Sequence, residues 1–77
     1  MENNYHQRYR HVLGKEIRRL REEQGFSLRT FASMVGMDYT HLFDIEHAKT
    51  SVTIDTLVKI ADGLGVDPAS LLDKSLL

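Results

Sequence analysis

Histidine, serine and acidic side chains are the residues of this chain that could bind a metal ion or catalyse a reaction. The histidines are His6, His11, His41 and His47, and no two of them are three or four residues apart. That spacing would put two ligands on one face of a helix, so the sequence predicts no metal site. Serine, histidine and aspartate also lack an order that indicates a nucleophile, a base and an orienting acid. We therefore expect no enzymatic activity and no cofactor.

Length and composition predict one small domain. The chain has 77 residues, 42% of them hydrophobic, and no cysteine, which excludes a disulfide framework and a cysteine zinc site. A domain of this size has little room for a deep pocket, and we expect no small-molecule ligand. No apolar run approaches the roughly 20 residues of a membrane-spanning helix, and no signal peptide is evident. The sequence therefore predicts a soluble cytoplasmic protein without a membrane partner.

The charge of the chain is close to neutral but unevenly distributed. A formal net charge of −1 argues at first sight against nucleic acid as a partner, since domains that bind it are usually basic. Residues 1–30, however, hold seven Lys and Arg against four acids, a net charge of +3. Residues 31–77 hold three Lys against seven acids, a net charge of −4. One face of a small domain can therefore be basic while the whole is nearly neutral.

The elements that position these side chains are predicted to be five short helices, giving an all-α fold. Leu13, Ile17, Leu20 and Gln24 recur at helical spacing, and Gly25 follows where a helix would end. No stretch alternates polar and apolar residues for long enough to indicate a strand. Side chains that can bond the free N–H groups of a first turn predict the starts of the other helices: Ser27, Asp38, Thr53 and Asp67.

Apolar residues in the second half of the chain predict the core faces. The fourth helix is expected to bury one stripe: Ile54, Leu57, Val58, Ala61 and Leu64. Pro68 stands where proline is favoured, in the first turn of a helix, and predicts a short fifth helix that holds Leu71 and Leu72. Met34 and Met37 are expected to fill the core.

The second and third predicted helices, joined at Gly36, form a helix-turn-helix. Gly36 can adopt the positive φ of a tight turn, and Ala32 is small enough for the following helix to cross closely above it. Apolar side chains around the turn predict the wedge that sets the crossing angle: Phe31, Val35, Met37, Leu42 and Ile45.

With these residues at this spacing, the chain resembles the Cro/CI-type (XRE-like, lambda-repressor-like) helix-turn-helix family, and within it the short stand-alone regulators that include restriction–modification controller proteins. The resemblance runs from about Leu13 to Leu72 and includes Leu13-Gly14, Ile17–Arg21, Gln24-Gly25, Ser27, Ile45-Glu46, Leu57 and Leu64-Gly65-Val66. It implies a compact five-helix DNA-binding domain over residues 12–73, with the helix-turn-helix motif at 28–47. Residues 1–11 would be an arm that follows DNA, an extension of the first helix or a frayed terminus, and residues 74–77 a tail.

The resemblance also implies which residues would act. The third helix would enter the major groove of double-stranded DNA and meet base edges through Tyr39, Thr40, Phe43 and Asp44. Phosphates would be held by residues around that helix: Ser27, Arg29, His41, His47 and Lys49. A partly buried ion pair would join Arg21 to Glu46.

Three features differ from the family pattern. Leu28 stands where the family usually has a polar residue that can bond a phosphate, and the loop after the third helix contains only Lys49 as a cation. Residues 38–47 hold three acids and no Lys or Arg. Two of those acids have expected structural roles, Asp38 as a helix cap and Glu46 as an inward-facing residue.

The predicted function is sequence-specific binding of double-stranded DNA by a transcriptional regulator. A repressor that binds a pseudo-palindromic operator as a homodimer is the simplest form, because a bound dimer can occlude polymerase. Four leucines near the end of the chain favour a dimer through the fifth helix: Leu71, Leu72, Leu76 and Leu77. Two alternatives stay open, a protein-interaction module that uses Tyr39 and Phe43 as anchors, and an antitoxin that binds both DNA and a protein partner.

Overall fold

A computed structural model describes residues 5–72 of the chain. Its elements are α1 (Tyr5–Glu23), α2 (Leu28–Met34), α3 (Tyr39–Glu46), α4 (Ile54–Leu64) and a 3-10 helix (Pro68–Leu72). No strand occurs among these residues. Residues 5–11 of the N-terminal segment belong to α1. Residues 1–4 and the expected tail at 74–77, with Leu76 and Leu77, lie outside the described residues.

Side-chain caps start the helices at the predicted residues. Ser27 and Thr53 each accept a hydrogen bond from the backbone N–H three residues later, at 3.0 and 3.1 Å. Asp38 accepts from the N–H groups two and three residues later, at 3.1 and 3.3 Å, and Asp67 from the N–H two residues later at 2.9 Å. These bonds satisfy N–H groups that a helix leaves unpaired in its first turn. The sequence prediction of the four caps is confirmed.

The turn between α2 and α3 depends on Gly36. Its φ is +67°, a left-handed conformation that a residue with a Cβ rarely adopts. Immediately after it, the N–H of Met37 bonds to the carbonyl oxygen of Ala32 at 2.8 Å. This bond closes the end of α2 and directs the chain into α3, as the helix-turn-helix spacing predicts.

The predicted short fifth helix is present at residues 68–72, as a 3-10 helix and not an α-helix. The N–H of Ser70 bonds to the carbonyl oxygen of Asp67 at 3.0 Å, an i to i+3 hydrogen bond. A five-residue segment with an initial proline has few N–H groups for the i to i+4 bonds of an α-helix. The segment packs against α1 and α4 and buries Leu71 completely.

One apolar core joins all five elements. Its largest fully buried side chains are Ile17, Phe31, Leu42, Ile45, Ile60 and Leu71. Val35 and Met37, both placed in the wedge by sequence, are half-buried against this core. Met34, expected to fill the core, is 49% exposed in the last turn of α2, so that prediction is wrong.

The predicted inward stripe of α4 is also partly wrong. The helix buries Leu57, Ile60, Ala61 and Leu64, whereas Ile54 is 70% and Val58 47% exposed. Residues 54, 57, 58 and 61 have the same helical spacing as residues 57, 60, 61 and 64, so periodicity alone does not choose between the two faces. Packing against α1 and the 3-10 helix selects the second set and leaves Ile54 and Val58 on the surface.

Candidate nucleic-acid interface

Helix α3 has one face fixed in the core and one face directed outward. Leu42 and Ile45 are buried, at 0% and 1% exposure, and Glu46 is 7% exposed. The four side chains expected to meet base edges lie away from that contact: Tyr39 and Thr40 are exposed, Phe43 and Asp44 half-buried. The helix therefore presents a mixed aromatic and polar surface on a rigidly held backbone.

A bidentate ion pair joins α3 to α1. Arg21 donates from Nε to Oε2 of Glu46 at 2.7 Å and from Nη2 to Oε1 at 2.9 Å. Its remaining nitrogen, Nη1, donates to the carbonyl oxygen of Phe26 at 2.7 Å. The hydrogen bond to Glu46 raises the pKa of Arg21, with burial opposing it. The structure thus places these two side chains together and directs the charge of Glu46 away from the outer face of α3.

Two further residues of α1 contact the end of α3 at spacings of seven residues from Arg21. A Cβ added at Gly14 would lie 2.6 Å from the carbonyl oxygens of both Ile45 and Glu46, so the backbones approach there as only glycine allows. One heptad earlier, Gln7 donates from Nε2 to the carbonyl oxygen of Ala48 at 3.2 Å. Since seven residues are close to two helical turns, one face of α1 contacts the last turn of α3 and the residues that follow it.

Aromatic rings on α3 hold two cations that belong to other segments. The guanidinium carbon of Arg29, in the first turn of α2, lies 4.7 Å from the ring centroid of Tyr39. The ammonium nitrogen of Lys49, in the loop after α3, lies 5.4 Å from the ring centroid of Phe43. Such cation–π contacts orient long side chains that would otherwise move freely. All four residues were expected at this site, but their spacing in the sequence gives no sign that they pair.

His47 lies against the same cluster. Its ring stacks on that of Phe43 with centroids 4.0 Å apart and planes at 21°, and its Nδ1 is 2.8 Å from the carbonyl oxygen of Phe43. A carbonyl only accepts, so Nδ1 carries a proton and Nε2 is the acceptor of the neutral ring. His47 can therefore donate from Nε2 to a phosphate only when its ring is charged.

The other two residues expected to contact phosphates lie at helix starts. Ser27 precedes α2, and its hydroxyl oxygen is occupied by the cap while its O–H can still donate. His41 is exposed in the first turn of α3. The structure therefore distributes the five predicted phosphate contacts around the exposed face of α3, from the start of α2 to the loop that follows α3.

Other kinds of site find little support within residues 5–72. These residues contain no group of three or more His, Asp or Glu that could hold a metal ion. None of their helices is long and apolar enough to cross a membrane.

Comparison with known proteins decides the family. Residues 17–71 match the family model described as helix-turn-helix (HTH_3). The chain belongs to this helix-turn-helix family. The domain is thus of the XRE-like type found in transcriptional regulators and in restriction–modification controller proteins.

Two relatives illustrate how far the likeness extends within this helix-turn-helix family. Control protein C.BamHI of Bacillus amyloliquefaciens is 32% identical over 63 residues, which cover 80% of this chain and 78% of the relative. The HTH-type transcriptional regulator RamB of Mycobacterium tuberculosis is 36% identical over 55 residues, which cover 71% of this chain. The match spans only 12% of the length of RamB.

Solved structures of helix-turn-helix proteins superpose on the same fold. The restriction–modification controller protein C.AhdI from Aeromonas hydrophila has a TM-score of 0.77 at 27% identity, covering 80% of this chain and 94% of its own. The hypothetical transcription factor NHTF from Neisseria has a TM-score of 0.83 at 29% identity, covering 95% of this chain and 84% of its own.

Proposed function

We propose that this protein binds double-stranded DNA sequence-specifically through α3 and regulates transcription. The observation that carries the proposal is the outer face of α3, where four candidate base contacts lie between two ring-held cations. The major groove of B-DNA is about 12 Å wide and admits one α-helix. The inward face of α3 is occupied by the core and the Arg21–Glu46 pair, so α3 would dock on DNA with its aromatic and polar side outward.

The residue types on that face suit the reading of bases. Thr40 can hydrogen-bond to any base or contact a thymine methyl group, and Phe43 can pack on thymine methyl groups. Asp44 can accept a hydrogen bond from the N4 amine of cytosine. Tyr39 lies at the start of the helix and offers a hydroxyl group to the bases, and the guanidinium of Arg29 lies over its ring.

Phosphate contacts would come from both ends of the same face. Arg29 suits phosphate because its guanidinium can donate two parallel hydrogen bonds, and Lys49 supplies a point charge. Ser27, His41 and His47 would add neutral or conditionally charged donors. With few cations and with Asp44 among the bases, we expect modest non-specific affinity and a strong dependence on the correct sequence.

A homodimer is the assembly that such a mode of binding favours. Two copies of α3 about 34 Å apart would read the two halves of a pseudo-palindromic operator. Leu71 is fully buried within its own chain and is not available to a partner. Ile54 and Val58 lie one turn apart on the exposed side of α4, and their exposure supports a second copy as the occupant of this face. Repression would follow if the bound dimer covers a promoter.

Sedimentation at micromolar concentration tests the dimer. We expect a species of twice the 8.8 kDa monomer mass, and a monomer for Val58→Glu. Met34→Glu is the matched control, because Met34 is exposed to a similar degree on a different helix and should leave the dimer intact. A wild-type protein that sediments only as the monomer would refute the dimer without affecting the proposal for α3.

Random-site selection followed by a salt titration tests DNA binding. The logarithm of the affinity should fall linearly with the logarithm of salt concentration, with a slope of about −0.9 for each phosphate contact. Thr40→Ala and Asp44→Ala should change the selected sequence, whereas Arg29→Gln and Lys49→Gln should weaken binding to all sequences alike.

One result would contradict DNA binding, and another would keep DNA binding but change the role. Failure to bind pooled genomic DNA at low salt would favour a protein-interaction module that uses Tyr39 and Phe43 as anchors. DNA binding that tightens on addition of a partner toxin would favour the antitoxin.

Whether the protein represses or activates is tested by placing the selected operator over a promoter, where a repressor lowers transcript yield. The match to C.BamHI and C.AhdI over most of their lengths supports a controller-like role.

A further inference from the structure

We propose that Arg10, in the second turn of α1, contacts a DNA phosphate beside the loop that follows α3. The proposal deepens the DNA-binding function above and rests on it. It extends the interface from the helix-turn-helix to a helix that the motif does not include, and it adds a contact to the predicted phosphate-binding residues.

The first observation is the position of α1 over that loop. Gln7 donates from its side-chain amide to the carbonyl oxygen of Ala48 at 3.2 Å, although the two residues are 41 positions apart in the chain. Ala48 has a φ of +59°, a conformation that residues with a Cβ rarely adopt. The bond from Gln7 therefore joins the first turn of α1 to the loop after α3, at the residue with positive φ that precedes Lys49.

The second observation is a surface groove of about 220 Å³ between the first turns of α1 and the segment that leads into α4. His6, Tyr9 and Arg10 line one side of the groove, and Ser51, Val52 and Ile54 line the other. Arg10 thus lines the same surface groove as Ser51 and Val52 of the loop after α3, although it is about 40 residues away from them in the chain.

The third observation is the electrostatic composition of this region. The loop from residue 47 to 53 contains Lys49 as its only Lys or Arg, and none of the side chains that line the groove is acidic. The guanidinium of Arg10 donates from Nη1 to Oε1 of Gln7 at 3.4 Å, a long bond to a neutral group. An Arg whose methylene stem lies along an apolar groove can keep its guanidinium in water, ready for a phosphate.

These positions put Arg10 and Lys49 beside the same loop. Lys49 lies over the ring of Phe43, so its loop adjoins the face that would enter the groove of DNA. Because Gln7 is bonded to the residue before Lys49, Arg10 is on the same side of the domain. DNA seated on α3 with a phosphate at Lys49 would bring a neighbouring backbone phosphate toward Arg10.

The test compares Arg10→Gln with Lys15→Gln by fluorescence anisotropy on the duplex selected for the wild type. Lys15 is exposed on the same helix, about 140° around it from Arg10 at about 100° per residue, and its removal changes the net charge equally. For Arg10→Gln we expect the salt slope to become shallower by about 0.9. Affinity should fall about fivefold at 0.15 M salt and about fifteenfold at 0.05 M, the values that this slope gives for one lost contact.

Lys15→Gln should leave both the slope and the affinity at 0.15 M close to those of the wild type. Arg10→Lys should restore the slope, since it restores the charge. The inference is overturned if Arg10→Gln and Lys15→Gln behave alike, or if Arg10→Gln changes the sedimentation of the protein and not its salt slope. A wild-type protein that binds no duplex at all would instead refute the proposed function.

Discussion

The buried ion pair between Arg21 and Glu46 offers the most decisive test of how α3 is held. Their side chains are 8% and 1% exposed, and two hydrogen bonds of 2.7 and 2.9 Å join them. Replacement of Glu46 by Leu would leave the guanidinium of Arg21 buried and bonded to the carbonyl oxygen of Phe26, but without the carboxylate that balances its charge. Loss of one member of such a pair costs about 3–5 kcal/mol, because the other charge stays buried without compensation.

That cost is large for a domain of this size. At about 0.05–0.15 kcal/mol per residue, the whole chain has an expected unfolding free energy of about 4–12 kcal/mol. A small domain loses about 4–8 °C of Tm per kcal/mol, so the lower bound of about 3 kcal/mol for Glu46→Leu corresponds to a fall of about 12 °C or more. Arg21→Met should have a similar effect, since it leaves the carboxylate of Glu46 buried.

The assay is thermal and urea unfolding followed by circular dichroism. The double variant Arg21→Met with Glu46→Leu should recover most of the loss, because two apolar side chains replace two charges. The matched control is the exposed pair Arg18–Glu22, joined at 3.2 Å with both side chains more than half exposed, whose loss should cost about 0.3–0.5 kcal/mol. If Arg21→Met and Glu46→Leu each leave Tm within the range of this control, α3 is not held by the pair and the reasoning fails.

The raised pKa of Arg21 determines how this ion pair makes the stability of the protein depend on pH. The bond to Glu46 raises the pKa of Arg21. A cationic group with a raised folded-state pKa contributes stability that is fully present below its unfolded pKa and is lost only as pH rises through the folded pKa. Ionisation of Arg21 should therefore cause no change in Tm between about pH 6 and pH 9. A loss of stability in that range that is absent from Arg21→Met would contradict this.

Three further predictions test the packing and the caps. Gly14→Ala should lower the unfolding free energy measured in urea by at least about 1 kcal/mol, because the added Cβ would lie 2.6 Å from two backbone oxygens. Helix propensity alone would instead raise the unfolding free energy by about 1 kcal/mol. In the monomeric Val58→Glu background, Ile60→Ala should cost about 2–5 kcal/mol and Ile54→Ala less than about 0.5 kcal/mol; the reverse order would show that α4 packs on its other face. Asp38→Ala should lower the unfolding free energy by about 1 kcal/mol through loss of the α3 cap. Asp38→Asn keeps the cap and removes a negative charge, so this variant should bind non-specific DNA more tightly with Tm unchanged.

Local chemistry made much of the fold predictable. Ser27, Asp38, Thr53 and Asp67 cap helices because their side chains bond backbone groups two or three residues away, a relation contained within a few residues. The turn at Gly36 is equally local, since its left-handed backbone depends on the absence of a Cβ. The spacing of apolar residues around that turn, together with the resemblance it carries, also led to the outward positions of Tyr39 and Thr40.

The errors arose where two local solutions were equivalent. Residues 54, 57, 58 and 61 and residues 57, 60, 61 and 64 have the same helical spacing, so the buried face of α4 depended on what packs against it. Asp67 and Pro68 predicted the start of the last helix, but its hydrogen-bond type was not predicted, and its short length made it a 3-10 helix. Met34 had a helical position that sequence could not distinguish from that of a core residue.

What the sequence by itself determined is the class of this protein: an all-helical chain with a helix-turn-helix at 28–47. What only the tertiary structure decided is how α3 is supported and which charges surround it. Gln7, Gly14 and Arg21 meet the end of α3 from a different helix, and Arg29 and Lys49 rest on rings of α3 from either side of it in the chain. These contacts join residues 6 to 41 positions apart, where no helical period or turn preference applies, so they exist only once the core has brought the helices together.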